Sequence, residues 1–336
     1  MPITGSGIVA GGAYGAELAA LTRRAVIPSL VVQVYKATPT LNLLLRQAQK
    51  AKGGLSQITA PVQGSSYVSF SWSDASGSFP QPSVQAASQN AEFNLCLGTV
   101  PIPFFGMESL VQSSEVIIPR LKAVMSDAKT VMVQQLSTNL FSDNSANGNI
   151  IAGLPQAYDD GTNVNVYGGI NRTASPFFKS TLVTGAGAVL TRAGFIKFLV
   201  QQTALAGGEA PDFVILSPSD WTTLMQDFMT VERINTTPGS AFGKQSVVNG
   251  GFRGLMLGDT PIFFDPFLAK GTAFVINSKY LAAYISEDAA FSFSGFYSAI
   301  PNLQIANIGV VIVALQVVCT KPISGMQIKG IAGGAF

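Results

Sequence analysis

The sequence predicts a mixed α+β protein: an extended β-hairpin, one long helix, then a compact unit of strands and helices closed by a late strand. Three observations carry this. Residues 53–105 hold period-two alternation on either side of a segment rich in Ser, Gly and Pro. Residues 119–142 hold apolar side chains at helical spacing. After residue 150, short apolar runs alternate with well-capped helix starts, and strand signal returns over 305–318.

The chain begins with a Gly-rich stretch (Gly5, Gly7, Gly11, Gly12) that no strand precedes, so a nucleotide fingerprint is not expected there. Residues 1–56 carry Arg23, Arg24, Lys36, Arg46, Lys50 and Lys52 against Glu17 alone. Such an arm suits either a surface facing phosphates or a solvated flexible segment. From 53 to 118 there is no Lys or Arg, and Asp74, Glu92, Glu108 and Glu115 are the acids. Within 67–73, Val68, Phe70 and Trp72 fall on one side and Ser69, Ser71 and Ser73 on the other. A second run sets Ala91, Phe93, Leu95 and Leu97 on one face, with the turn-rich 74–83 between the two. This predicts a long two-stranded excursion. A bare two-stranded hairpin is marginal in water, so its apolar face must lie on its own core or drape over a neighbour.

The long helix is expected to start with Pro119 at its first position and to bury Leu121, Val124, Met125, Ala128, Val131, Met132, Leu136 and Leu140. The polar cluster 142–149 stops it. At 1.5 Å per residue, residues 119–142 span about 36 Å, long for a globular helix. Further on, Thr191 caps a helix that runs toward Leu205 and ends at Gly207 and Gly208. Residues 212–216 read as a buried strand. Ser217-Pro218-Ser219-Asp220 starts another helix, with Trp221, Leu224, Met225 and Phe228 on one face. Strands follow at 261–264 and 273–276.

Composition narrows the function. Charged residues make up 11% of the 336, against about 25% in ordinary soluble domains. Hydrophobic residues reach 47%, with 34 glycines, 18 prolines and 22 phenylalanines. The shortage of charge predicts that much of the surface lies against copies of the chain or a partner. Mean hydropathy is positive, yet the longest unbroken apolar stretch near the C-terminus, 308–315, is far short of the roughly 20 residues of a spanning helix. It is rich in Val and Ile and contains Gly309, which favours a buried strand. Residues 1–20 lack the basic start and apolar middle of a signal peptide, so a soluble, cytoplasmically made protein is expected.

The chain contains no histidine. That removes Ser-His-Asp and Cys-His catalysis and histidine-ligated metals together, and an enzyme is not expected. Cys96 and Cys319 have no metal-site spacing and fit either a single bridge or two buried free thiols. Asp159 and Asp160 beside Gly161 read as a turn rather than a cation site. The sequons Asn171-Arg172-Thr173 and Asn235-Thr236-Thr237 carry no weight without an export signal. Catalytic residues, cofactors and metals are all expected to be absent. Tyr67, Val68, Phe70, Trp72 and Phe79 lie where no Lys or Arg is near, which favours subunit contact over base stacking.

The order of arm, hairpin, long helix, mixed unit and late strand resembles the HK97-like major capsid proteins of tailed bacteriophages. Residues 93–98, then Val100-Pro101-Ile102-Pro103 and Glu108-Ser109-Leu110, are similar to that family's passage from E-loop to spine helix. Leu154 onward to Tyr167-Gly168-Gly169-Ile170-Asn171-Arg172 resembles a stretch common in these coats. Residues 210–217 followed by Trp221, and 258–265 followed by Val275-Ile276-Asn277, resemble the A-domain. The resemblance covers nearly the whole chain and rests on the order of soft motifs. It implies an N-terminal arm over 1–52, an E-loop over 53–105 and a P-domain with the spine helix over 106–149. An A-domain over 150–294 and a P-domain return with C-terminal segment over 295–336 complete the scheme.

The function implied is self-assembly into an icosahedral shell of hexamers and pentamers around phage DNA, in a virion assembled in the host cytoplasm. Tyr67, Val68, Phe70, Trp72 and Phe79 would make the E-loop contacts. Arg23, Arg24, Lys36, Arg46, Lys50 and Lys52 would face double-stranded DNA through nonspecific phosphate contacts. Some relatives crosslink covalently from an E-loop lysine, but 53–121 contains none, so noncovalent shells are expected. Residues 1–20 are short and Gly-rich where some relatives carry a helical scaffolding segment, which implies a separate scaffolding protein beside the portal. Two alternatives are an encapsulin-like nanocompartment shell and a secreted surface-array or adhesin protein, the latter disfavoured by the missing export signal.

Overall fold

The computed structural model describes residues 38–46, 48–51, 57–64, 88–105, 114–185, 189–231, 254–257, 260–298 and 306–332. In chain order the elements begin with helix α1 (Pro39–Arg46) and strands β1 (Gln49–Ala51), β2 (Gln57–Gln63), β3 (Ser88–Asn94) and β4 (Cys96–Phe105). Then come the long helix α2 (Ser114–Leu140), the single turn α3 (Leu154–Ala157), and strands β5 (Val166–Tyr167), β6 (Ile170–Asn171) and β7 (Thr181–Thr184). Helix α4 (Arg192–Leu205), β8 (Phe213–Leu216) and α5 (Pro218–Val231) follow. The rest is strand: β9 (Gly254–Leu257), β10 (Thr260–Phe264), β11 (Thr272–Ile276), β12 (Leu281–Ser286), β13 (Ser292–Ser298), β14 (Ala306–Cys319) and β15 (Met326–Lys329).

Two larger sheets organise these elements. In the five-stranded sheet β14 pairs antiparallel with β12, β13 and β4, and β1 runs parallel to β12. The six-stranded sheet has the order β7-β15-β11-β8-β10-β9. The run Phe213-Val214-Ile215-Leu216 explains how this second sheet sits. Alternate side chains of a strand point to opposite faces, and here both are apolar. Phe213 and Ile215, with Phe263, Phe274 and Ile276, join the core shared with α1, the hairpin β2–β3, α2 and the first sheet. Val214 and Leu216, with Ile262, Ala273, Val275, Met326 and Ile328, pack against Phe195 of α4 and Leu224 of α5.

Helix caps fall where the sequence puts them. The Thr191 hydroxyl accepts the Gly194 N–H at 3.2 Å, and Ser217 Oγ accepts the Asp220 N–H at 3.3 Å. Gly207 and Gly208 follow the end of α4 at φ 82° and 91°. The late strand is β14, and the chain contains no cis peptide among the described residues.

Three expectations need correction. Helix α2 begins at Ser114, so Pro119 lies in its second turn, where the missing N–H removes only an early intrahelical bond. Val131 is 42% exposed, whereas Met125, Ala128, Met132, Leu136 and Leu140 are buried together with Val133, which shifts the packed stripe by a fraction of a turn. The alternating run 91–97 is not one strand. Ala91 and Phe93 are buried on β3, but the chain then changes partner, Cys96 enters β4, and Leu97 is 61% exposed. The strand opposite β3 among the described residues is β2, and the run 67–73 lies outside them.

Candidate assembly interface: the hairpin root

The β2 sequence Gln-Ile-Thr-Ala-Pro-Val-Gln alternates, and it buries Ile58, Ala60 and Val62 while Thr59 and Pro61 face outward. Antiparallel register sets Ile58 opposite Phe93 and Ala60 opposite Ala91, so one face of the ribbon is apolar. On the outer face Gln57 Nε2 donates to Glu92 Oε2 at 2.9 Å. Pro61 has no N–H to offer, which an edge strand such as β2 tolerates.

Four contacts fix this ribbon to the body. The Glu92 N–H donates to the Gly168 carbonyl at 2.9 Å. Phe93 meets Tyr167 edge to face, with ring centroids 4.9 Å apart. Ser175 Oγ donates to Gln89 Oε1 at 3.1 Å. Where β3 gives way to β4, Gln316 Nε2 donates to the Asn94 carbonyl at 2.7 Å, while Gln316 Oε1 accepts the Ala152 N–H at 2.8 Å. Gly168 has φ 55°, and a Cβ there would sit 2.6 Å from the Phe93 ring. Only glycine serves both the turn and the aromatic contact.

The platform under the ribbon, residues 150–185, is organised by Arg172, which is fully buried. Its Nε donates to the Phe178 carbonyl at 3.2 Å and Nη1 to Val164 O at 3.1 Å. Nη2 reaches Gln156 O at 2.9 Å and Ala157 O at 2.8 Å. The guanidinium lies 5.0 Å from the Tyr167 ring centroid, and Tyr167 also stacks on Phe178 at 5.7 Å. The Tyr167 hydroxyl in turn accepts the Cys319 N–H at 3.0 Å, tying the platform to β14. Burial pushes the Tyr167 phenol well up, so it stays a neutral acceptor.

Asp159 closes the same platform. Its Oδ1 accepts the N–H groups of Gly161, Asn163 and Val164, and Oδ2 accepts Asn163 Nδ2 at 2.7 Å. Burial pushes its carboxyl up, but these donors outweigh burial and hold it below the usual range. The pair with Asp160 is thus a turn, as expected, and no cluster suited to a metal occurs among the described residues. Cys96 and Cys319 are free and buried. No helix among the described residues is long and apolar enough to cross a membrane.

The residues singled out in the sequence are only partly in view. Tyr67, Val68, Phe70, Trp72 and Phe79 lie outside the described residues, as do Arg23, Arg24, Lys36 and Lys52. Arg46 ends α1, and Lys50 is exposed on β1. Residues 38–46 and 48–51 belong to the body: Leu41, Leu44 and Leu45 are buried, and Thr40 Oγ1 donates to buried Asp265 at 2.7 Å. Sequence reasoning missed Arg172 and Gln316. Arg172 stood out only within a sequon and at the end of the 154–172 stretch, with no role of its own. Gln316 carried a usable signal, a lone amide in an apolar strand, because a buried polar group needs a partner.

No family model matches the sequence, and no curated protein does. Solved structures are similar over most of its length. A capsid subunit of cyanophage A-1(L) is 16% identical with a TM-score of 0.66, covering 88% of this chain and 93% of that one. The capsid of an empty GTA particle gives 9% identity and a TM-score of 0.54, covering 85% and 96%. The holo-SrpI encapsulin complex of Synechococcus elongatus PCC 7942 gives 10% and 0.51, covering 87% and 86%. The fold is therefore that of capsid and encapsulin shell subunits, in agreement with the HK97-like resemblance of the sequence.

Proposed function

We propose that the chain is the major capsid protein of a tailed phage, a noncatalytic subunit that closes into an icosahedral shell around double-stranded DNA. The observation that carries this is the likeness to the cyanophage capsid subunit over nearly all of both chains. In this scheme β2 and β3 are the base of the E-loop, α2 is the spine helix and the six-stranded sheet is the A-domain. Strand β14 belongs to the P-domain. The anchored ribbon supplies a mechanism. Its root is held by polar and aromatic contacts, so the residues beyond it are presented to a neighbouring copy from a fixed base. Contacts of about 800 Å² per partner are typical of stable interfaces. Repeated heterologously around a ring, they close. The lysine-free 53–121 leaves such contacts noncovalent. The basic arm then faces DNA, and scaffolding protein and portal are separate chains.

The encapsulin likeness makes a protein-filled compartment the second reading; the higher TM-score to the phage capsid, 0.66 against 0.51, favours the first. Electron microscopy of the purified protein should reveal closed shells, and particles from infected cells should release double-stranded DNA. Dispersed monomers would refute shell formation. Shells that hold protein cargo and no nucleic acid would refute the phage assignment. A finer test uses the register pair Gln63–Ser88. Replacing 64–87 by Asn-Gly closes the ribbon with a two-residue turn and keeps its root. The shortened chain should fold and remain soluble but form no closed particles.

A further inference from the structure

The turn after α2 contains Asn147-Gly148, both exposed. The Asn147 side chain folds forward along the chain, and its Oδ1 accepts the Asn149 N–H at 3.1 Å, spanning Gly148. That Gly148 N–H has no acceptor among the described residues; the Gly148 carbonyl alone is engaged, by the Cys96 thiol at 3.8 Å. Nothing lies within 4 Å of where a Gly148 Cβ would be. The main chain is fixed on both sides by Asn147 N–H to Asn144 O at 3.0 Å and Ile150 N–H to Asn147 O at 3.2 Å.

We propose that Asn147 is a site of spontaneous modification, converting to aspartate and isoaspartate through a cyclic imide with Gly148. The Gly148 nitrogen gives its proton to a solvent base and attacks Asn147 Cγ, forming a new N–C bond. Negative charge develops on Oδ1, the Cγ–Nδ2 bond breaks, and the nitrogen leaves as ammonia after taking a proton from solvent. Water then opens the imide. Addition at Cγ gives aspartate, and addition at the Asn147 main-chain carbonyl gives isoaspartate. Water enters, ammonia leaves, and no redox partner is needed.

The turn assists each stage. The Asn149 N–H already points at the oxygen that becomes negative, as a donor of an oxyanion hole does. The folded side chain supplies proximity, and the bare Gly148 leaves the nucleophile open. Two other asparagines among the described residues accept the N–H two positions on and serve as internal controls. Asn171 Oδ1 accepts Thr173 N–H at 2.9 Å, and Asn277 Oδ1 accepts Lys279 N–H at 3.1 Å. In both, the nitrogen that would attack is committed. The Arg172 N–H donates to Asn165 O at 2.8 Å, and the Ser278 N–H donates to Asp212 Oδ2 at 2.8 Å. The same turn shape is therefore reactive at one position and silent at two. Isoaspartate at 147 inserts an extra main-chain atom in the turn whose Asn144 side chain bridges the carbonyls of Asn139 and Ile151.

The test incubates the full-length folded protein in mildly alkaline buffer and follows the peptides containing Asn147, Asn171 and Asn277 by mass spectrometry. Electron-based fragmentation separates aspartate from isoaspartate. Conversion at Asn147 should exceed that at either control by at least about tenfold, a barrier difference of about 1.4 kcal/mol. Gly148→Ala, which meets open space, should slow it by a similar factor without changing the circular dichroism melt. Comparable rates at all three asparagines would overturn the proposal. So would an unmodified Asn147 over a period in which the guanidinium-unfolded chain converts.

Discussion

Truncating Phe93 to alanine isolates the hairpin root from the rest of the fold. The ring is 4% exposed, stands opposite Ile58 and meets Tyr167 edge to face. Phe→Ala substitutions in packed cores cost about 3–5 kcal/mol, rising with the cavity that remains. Here little can move in. Ala91 and Gly168 line the gap with almost no side chain, and Tyr167 is pinned by the Cys319 N–H at 3.0 Å. A cost in the upper half of that range, about 4 kcal/mol, is expected. The surviving root bonds, Glu92 to Gly168 and Gln316 to Asn94, contribute about 1 kcal/mol each in both proteins and do not make up the loss. The loss is local, so amide exchange is the suitable assay. A local loss of about 4 kcal/mol corresponds to roughly thousandfold faster exchange in peptides covering 57–63 and 88–94. Peptides covering β8 and β11 should keep their protection. Under the shell assignment, particle yield should fall with the ribbon's protection, and Phe93→Leu should be intermediate in both. Unchanged exchange in the ribbon, or an equal rise across the six-stranded sheet, would refute the idea that Phe93 anchors a separable element.

Arg172→Met strands the carbonyls of Gln156, Ala157, Val164 and Phe178 in the interior. It should lower the unfolding free energy by about 3–5 kcal/mol, read from the urea midpoint of the unassembled subunit. Arg172→Lys should recover only part, because an ammonium cannot reproduce the planar fork. The Glu209 carboxyl is held down to about 2, first by Lys279, then by Tyr280, with Lys321 adding to the effect. Its stabilisation is present above the ordinary value of 4.5 and is lost as pH falls through about 2. Glu209→Gln should flatten the acid side of a stability–pH curve in that window, and an unaltered slope would count against the cluster. Burial pushes the Cys319 thiol up to about 12 and raises Cys96 as well. A chromogenic disulfide reagent should therefore label neither in the native protein and both in denaturant, and fast native labelling would contradict their burial.

What the sequence revealed and what it hid divide along a physical line. Local chemistry was legible. The Thr191 and Ser217 caps, the apolar runs of β8 and β11, and the long β14 all follow from short-range rules. Features set by distant partners were not. Leu97 belongs by alternation to the buried face of β3, yet one residue earlier the chain has left β2 for β14, and alternation cannot register a change of partner. Pro119 resembles a helix start because proline is well suited to one, but α2 begins five residues earlier, at Ser114. Arg172 is the sharpest case. An arginine in a polar loop normally faces solvent, and only the folded platform shows four carbonyls converging on its guanidinium.

The scarcity of charge now has a more specific meaning. Much of the apolar excess is consumed inside, because the six-stranded sheet is covered on both faces by side chains of the two cores. That part needs no partner to explain it. Helix α4 is different. Its inner face buries Phe195 against the sheet, while Ile196 is 41%, Val200 63% and Leu205 44% exposed on other sides, with Val189 just before the helix at 55%. A helix that is apolar around most of its circumference normally has protein on every side. Among the described residues, α4 packs on the sheet, α5 and the turn at 322–324, and Ile196 and Val200 stay exposed. Under the proposed shell assignment, that exposed face of α4 would be covered by another copy and would join the lysine-free hairpin as a candidate contact. Ile196→Lys and Val200→Lys, which add charge at exposed positions, should leave the subunit's melting temperature unchanged and reduce particle yield. Equal yield would return the exposed apolar residues of α4 to the ordinary scatter of a protein surface.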